Sequence, residues 1–205
     1  MTTRNPDATR TRLLEAAFTE VHKNGFRAAS LDSILEGTGV TKGALYHHFP
    51  NKQALGLAIV DEIIRGWILD RWVQPMEEAE DPIPRLIGIL NEESSRLDAD
   101  QVRFGCPLNN LIQEMSPVDP VFREHLEAVI RDWIRGLADA LRHGQELGTV
   151  RGDVDCDAIA AFIVAAIEGS AGMLKLTAGK GHLQSVLKGL TGYLETLKPN
   201  NEVKA

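Results

Sequence analysis

The chain has 205 residues, 43% hydrophobic and 25% charged, which suits a soluble globular protein with one substantial core and a small subdomain. Two cysteines exclude a disulfide scaffold and fit a reducing cytosol. A net charge of −7 disfavours a nucleic-acid partner for most of the chain, yet residues 1–55 hold seven Lys/Arg against five Asp/Glu, so such a contact would be confined to that part.

The amino terminus is polar, with no apolar run before Leu13, and reads as lacking a secretory signal. Helical periodicity follows along the whole chain without strand alternation, which predicts an all-α fold. A first helix is expected from about Ala8 to Asn24, with Leu13, Leu14, Ala17, Phe18 and Val21 on one face and Gly25 as its stop. Met1–Pro6 before it reads as frayed.

Residues 30–52, SLDSILEGTGVTKGALYHHFPNK, are the most informative stretch. Ser30 is a good N-cap for a helix at Leu31, whose apolar face is Leu31, Ile34 and Leu35. Gly37-Thr38-Gly39 supplies a sharp turn. Thr41 then caps a second helix from Lys42 to about Phe49, closed by Pro50. Leu45 and Phe49 anchor this helix, and Gly43-Ala44 lets its start approach a partner closely. Its outer face carries Thr41, Lys42, Tyr46, His47 and His48, groups suited to phosphates and base edges. The pair reads as a helix-turn-helix. The same face would also serve as a solvated polar surface, with Tyr46 or His48 packing.

Asn51 caps a helix from Lys52 carrying Leu55, Ile59, Ile63 and Trp67. Pro75, Pro82 and Pro84 punctuate the next region. Helices are then expected from about Pro84 to Leu97, Pro107 to Met115, Pro120 to Leu147, Asp155 to Thr177 and Gly181 to Leu197, with a frayed tail over Lys198–Ala205. The helix from Asp155 is apolar on nearly all sides and rich in small residues, so it needs a second neighbour, a place another subunit would fill. Its apolar run Ala158–Ile167 is too short to span a bilayer and stops at Glu168, so no membrane partner is expected.

Neighbouring histidines on a helix point about 100° apart, so His47-His48 cannot readily share a metal. No Gly-rich phosphate loop, nucleophile elbow or HExxH motif appears. The expectation is no metal, no cofactor and no enzymatic activity. Cys106, in Phe104-Gly105-Cys106-Pro107, stands before a helix and near Arg103, both of which favour thiolate, whereas Cys156 lies among Asp153, Asp155 and Asp157. Lys175 is an unusual cation in its apolar helix and is a candidate neighbour of Cys106. Trp67, Trp72, Phe104, Leu111, Trp133 and Phe162, with Leu90, are candidates to line an effector cavity; all of them, Cys106 included, also suit plain core roles.

TKGALYHHFPNKQAL resembles the recognition-helix signature of tetracycline-repressor (TetR) family transcriptional regulators, with its Tyr46-x-x-Phe49 followed by Lys52, and TRTRLLEAAFTEVHKNGFRAASLDSI resembles the preceding helix and break. The resemblance covers roughly residues 8–65. It implies an amino-terminal three-helix DNA-binding domain, 1–52, and a helical effector-binding and dimerisation domain, 53–205, pairing as a four-helix bundle. It also implies a cytoplasmic homodimer on a double-stranded DNA operator, a repressor released by a small molecule or a thiol-reactive compound. Under it, Tyr46 and Lys52 fall on positions that touch the phosphate backbone, Lys42, Gly43, Ala44 and His47 lie nearest the bases, and Arg27 and Ser30 flank them. Arg4, Arg10 and Arg12 are candidates for extra phosphate contacts. The Gly105-Cys106-Pro107 run resembles a subgroup with electrophile- and oxidant-responsive members. The rival expectation is an all-α ligand-binding or protein-interaction module that does not bind DNA.

Overall fold

A computed structural model describes residues 6–177 and 180–199, and every regular element in them is helical. Arg4 and most of both ends expected to fray lie outside the described residues. The elements are α1 (Pro6–Asn24), α2 (Leu31–Leu35) and α3 (Lys42–His48), then α5 (Pro82–Arg96), α6 (Ala99–Phe104), α7 (Pro107–Met115), α8 (Pro120–Leu147), α9 (Cys156–Thr177) and α10 (Lys180–Glu195). Between α3 and α5, Lys52–Ala58, Ile59–Ile64, Arg65–Ile68, Leu69–Val73 and Gln74–Glu77 follow one another without a break and together form α4. The described residues fall into two compact units: one holds those up to Gly66 together with Pro107–Val129, the other Trp67–Cys106 and those from Ile130.

In the first unit Leu13, Leu14, Ala17 and Val21 of α1 are buried, with Ile34 of α2, Leu45 and Phe49 around α3, and Leu55, Ile59 and Val60 of α4. All three expected N-caps form: Ser30 accepts from Ser33 N (3.0 Å), Thr41 from Ala44 N (3.3 Å) and Asn51 from Ala54 N (2.7 Å). Between α2 and α3, Gly37 and Gly39 take left-handed φ of +74° and +65°, and the buried Thr38 hydroxyl donates to Leu35 O (2.8 Å). A cap contributes about 1 kcal/mol. Burying a Leu or Phe side chain contributes roughly 1.5–3 kcal/mol. Leu45 and Phe49 therefore hold α3 more firmly than its cap does. The segment 107–129 adds Leu108, Leu111, Met115, Phe122, Leu126 and Val129 to this core. Gly56 sits where Phe26 and Phe122 meet: a Cβ there would stand 2.4 Å and 2.6 Å from their rings.

In the second unit α9 packs along α10 and against α6, and α5 packs on α10. Its core takes Ile68, Trp72 and Met76 from α4, Ile83, Leu86 and Leu90 from α5, Trp133, Leu137 and Leu141 from α8, and Ile159, Ala160, Ile163 and Val164 from α9.

Three features depart from the sequence expectation. Ile59–Ile64 and Leu69–Val73 are π-helical, and each wider turn adds a residue to the repeat. The buried stripe of α4 consequently runs Leu55, Ile59, Ile64, Ile68, Trp72, leaving Ile63 and Trp67 only half-buried instead of facing inward. Helix α5 starts at Pro82, not Pro84, because Asp81 caps it by accepting from Ile83 N (3.1 Å). Helix α6 was not expected at all. It starts at a reciprocal capping box, Asp98 with Gln101, a four-residue signal that is legible in the sequence.

Candidate functional site

Around α3 the two anchors point inward, and Thr41, Lys42, Gly43, Tyr46 and His47 are exposed. Tyr46 leaves 44% of its surface free, although an aromatic ring of that size is normally covered. Ala44 and His48 are half-buried, His48 edge-on to His47 with ring centres 5.4 Å apart. Lys42 Nζ lies 3.6 Å from Asp32 with both side chains well exposed, a pair too solvated to hold the ammonium. Arg27 and Ser30 are exposed beside this face.

Three further cations of the first unit, Lys52, Arg10 and Arg12, have partners within it. Lys52 Nζ donates to Arg27 O (3.2 Å) and stands over the Phe26 ring (4.9 Å), tying the start of α4 to the bend after α1. Arg10 makes a two-pronged pair with Glu62 (2.6 and 2.5 Å) and covers the Phe49 ring. That hydrogen bond pushes Arg10 up and holds Glu62 below the usual carboxylate range. Arg12 donates to Thr38 O (3.3 Å). Each partner is 25 to 52 positions away in sequence, which is why residue type alone suggested free phosphate donors.

The effector candidates separate. Trp72 and Trp133 meet in the second core, ring centres 5.4 Å apart. Trp67 is half-buried under the Arg71 guanidinium (4.9 Å), and Phe104 is half-buried under that of Arg103 (5.1 Å). Phe162 is 51% exposed and meets Tyr193 edge-on instead of joining the two tryptophans. Leu111 is buried within the first unit. Cys106 is half-buried and its Sγ–H donates to Glu168 Oε1 (3.2 Å), a partner the sequence reading missed. The Lys175 stem lies against the same turn: a Cβ on Gly105 would stand 2.4 Å from Lys175 Cε. Burial, with Asp157 and Asp155 adding, pushes the Cys156 thiol up despite nearby Arg142. No group of His, Cys, Asp and Glu among the described residues is arranged to hold a metal ion.

Residues 13–59 match the family model for bacterial regulatory proteins of the tetR family, and residues 82–190 match that for the tetracyclin repressor-like C-terminal domain. The chain belongs to the TetR family. It is similar to the HTH-type transcriptional repressor DhaR of Mycobacterium sp. strain GP1, with 27% identity over 94% of each chain. It is similar also to the transcriptional regulator AcuR of Cereibacter sphaeroides, with 30% identity over 72% of this chain and 68% of that one. Among solved structures, the regulatory protein TetR from Rhodobacter sphaeroides aligns with a TM-score of 0.79 at 28% identity, covering 89% of this chain and 97% of that one. Function follows the family: this TetR-family chain is a DNA-binding transcriptional regulator of the effector-responsive kind.

For a TetR-family helix facing a core, the carboxyl of Glu168 is out of place. Its Oε2 is enclosed, and burial raises its pKa to about 7, opposed by the Cys106 hydrogen bond. The acid is therefore protonated in the fold at pH values where the unfolded chain has ionised it, and stability falls as pH rises from about 4.5 to about 7. The full shift corresponds to roughly 3 kcal/mol at most. Glu168→Gln should remove this slope: between pH 5 and pH 7.5 the wild type should lose unfolding free energy relative to the variant, measured by urea titration. Parallel pH profiles would contradict the assignment.

Proposed function

We propose that the chain is a homodimeric repressor that reads its operator with α3. Residues 1–52 form the reading head, and residues 53–205 bind the effector and dimerise. The observation that carries this reading is the face of α3: Lys42, Tyr46 and His47 are exposed while Leu45 and Phe49 are buried. Thr41 and the free N–H groups at the helix start favour a phosphate. Lys42, Gly43, Ala44 and His47 lie nearest the base edges, and Tyr46 and Ser30 contact the backbone, with Arg27 at the flank. Lys52 acts by holding the head together as well as by its charge. A protein-interaction surface would present an aliphatic or aromatic anchor at its centre, and here only Tyr46 stands among polar groups. The protein acts in the cytoplasm, where its operator is, and has no catalytic role.

Dimerisation is supported by α9. Ala158, Phe162, Ala165, Gly169, Met173 and Leu176 are exposed at three- and four-residue spacing and form one apolar stripe, with Leu176 86% free. The helix is long and apolar enough to cross a membrane, but its other face is packed against α6 and α10 and carries Glu168. A second copy covering the stripe accounts for both faces. Two heads then meet successive major grooves, about 34–36 Å apart.

The Cys106–Glu168 contact favours a thiol-reactive effector over a purely reversible one. In its ionised form, reached as pH passes its raised pKa of about 7, Glu168 accepts the S–H proton as sulfur adds to the β-carbon of an electrophilic alkene, and the proton passes to the α-carbon as the C=C π bond is consumed.

Three measurements check this reading. On duplex DNA, Lys42→Ala should lower the slope of log K against log salt by about 1 per subunit; an unchanged slope removes Lys42 from the interface. Light scattering should give twice the 22.5 kDa subunit mass, and Ala165→Glu should give the monomer; a wild-type monomer at micromolar concentration would sink the dimer. N-ethylmaleimide should release the wild type from DNA and leave Cys106→Ser bound, whereas equal release of both would eliminate the thiol mechanism.

A further inference from the structure

Glu114 lies on α7, one residue before its end, and reaches the bend that follows α1. Its Oε2 accepts from Phe26 N (2.8 Å) and its Oε1 from Arg27 N (2.7 Å). Helix α1 has just stopped there. Gly25 N donates to Val21 O (2.8 Å), Gly25 turns left-handed at φ +84°, and Ala29 N closes the next turn on Gly25 O (3.0 Å). A left-handed residue followed by a right-handed turn aims consecutive N–H groups to one side and forms a concavity for an anion. The Glu114 carboxylate fills it with two charge-assisted hydrogen bonds. Room exists because residue 25 is glycine, since even a Cβ would stand 3.1 Å from the carboxylate.

Two further contacts join residues 107–129 to the rest of the first unit. Gln53 donates to Asp119 Oδ2 (2.8 Å), and the Phe26 and Phe122 ring centres are 4.7 Å apart against Gly56. Apolar contact is non-directional and tolerates sliding, whereas a carboxylate bridging two adjacent N–H groups fixes an angle. Helix α7 also follows directly on the Gly105–Cys106 turn, which belongs to the second unit.

We propose that Glu114 is a positioning residue: it sets the angle of the reading head on α7, so that displacement of α7 by an effector reaches α3 through the end of α1. This rests on the dimeric-repressor reading. It adds the residue through which the two heads are held at a defined separation.

The test uses the full chain and a duplex selected with the wild type from a random library, together with variants of that duplex carrying one base pair more or fewer between half-sites. The wild type should lose at least about tenfold in affinity on either change, because each base pair alters both separation and rotation of the half-sites. Glu114→Ala, with helical content retained by circular dichroism, should narrow that ratio to about threefold or less. General destabilisation lowers binding to all three duplexes equally and leaves the ratio unchanged. Should Glu114→Ala not fold, Glu114→Gln decides, since its single acceptor oxygen leaves one N–H facing an amide NH2. A wild-type ratio in the folded variant overturns the proposal. A wild type that selects no duplex, or is indifferent to spacing, overturns the dimeric-repressor reading itself, and this inference falls with it.

Discussion

A helix of seven residues is not stable alone in water, so what α3 does depends on Leu45 and Phe49 reaching the core of the first unit. Those two side chains decide more than stability. With both turned inward at a four-residue spacing, the geometry of the helix directs Lys42, Tyr46 and His47 outward. The cap at Thr41 then fixes where the helix starts, and hence which N–H groups stay free for a phosphate. Burial of the anchors and exposure of the polar face are one constraint seen from two sides.

The same economy explains how far the sequence could be read. Ser30, Thr41 and Asn51 were legible as caps because each acts on an N–H three residues away. The long helices were legible from spacing alone. The stripe of α4 was not, because a π turn changes the repeat without any residue type that marks it, and Trp67 lost its inward place to Ile68 and Trp72. The roles of Lys52, Arg10 and Arg12 were hidden for another reason. A cation looks free until the fold brings it a carbonyl or a carboxylate from far along the chain.

In the second unit, α9 has two demands placed on it. Its inner face packs on α6 and α10, while its outer stripe of alanines, Gly169, Phe162, Met173 and Leu176 stays exposed to a large extent. From composition the helix is apolar nearly all round, and only the structure separates the two faces. Glu168 interrupts that pattern, and burial answers by raising its pKa to about 7, so that it takes up a proton more readily than a solvated carboxylate would. With a pKa of about 7 both forms are within reach: the carboxylate can accept the Cys106 proton and the acid can return it, whereas a permanently ionised group in that place would be destabilising.

Helix α7 is short enough to act as a rigid strut. Pro107 opens it next to Cys106, and Glu114 sits two turns on, about 10 Å along the axis. Over that distance an α-helix does not bend appreciably unless Pro, Gly or an inserted group interrupts its hydrogen bonds, and Leu108 to Glu114 contains none of these residues. Under the proposal that Glu114 positions the head, a shift of the Gly105–Cys106 turn, whether from a reversible ligand or from an adduct on sulfur, would pass along α7 with little loss of amplitude. At the far end of α7, Glu114 adds two directional hydrogen bonds to the apolar contacts of Leu108, Leu111 and Met115. Reversible and covalent effectors would in this way converge on the same strut, and the reading head need not distinguish between them.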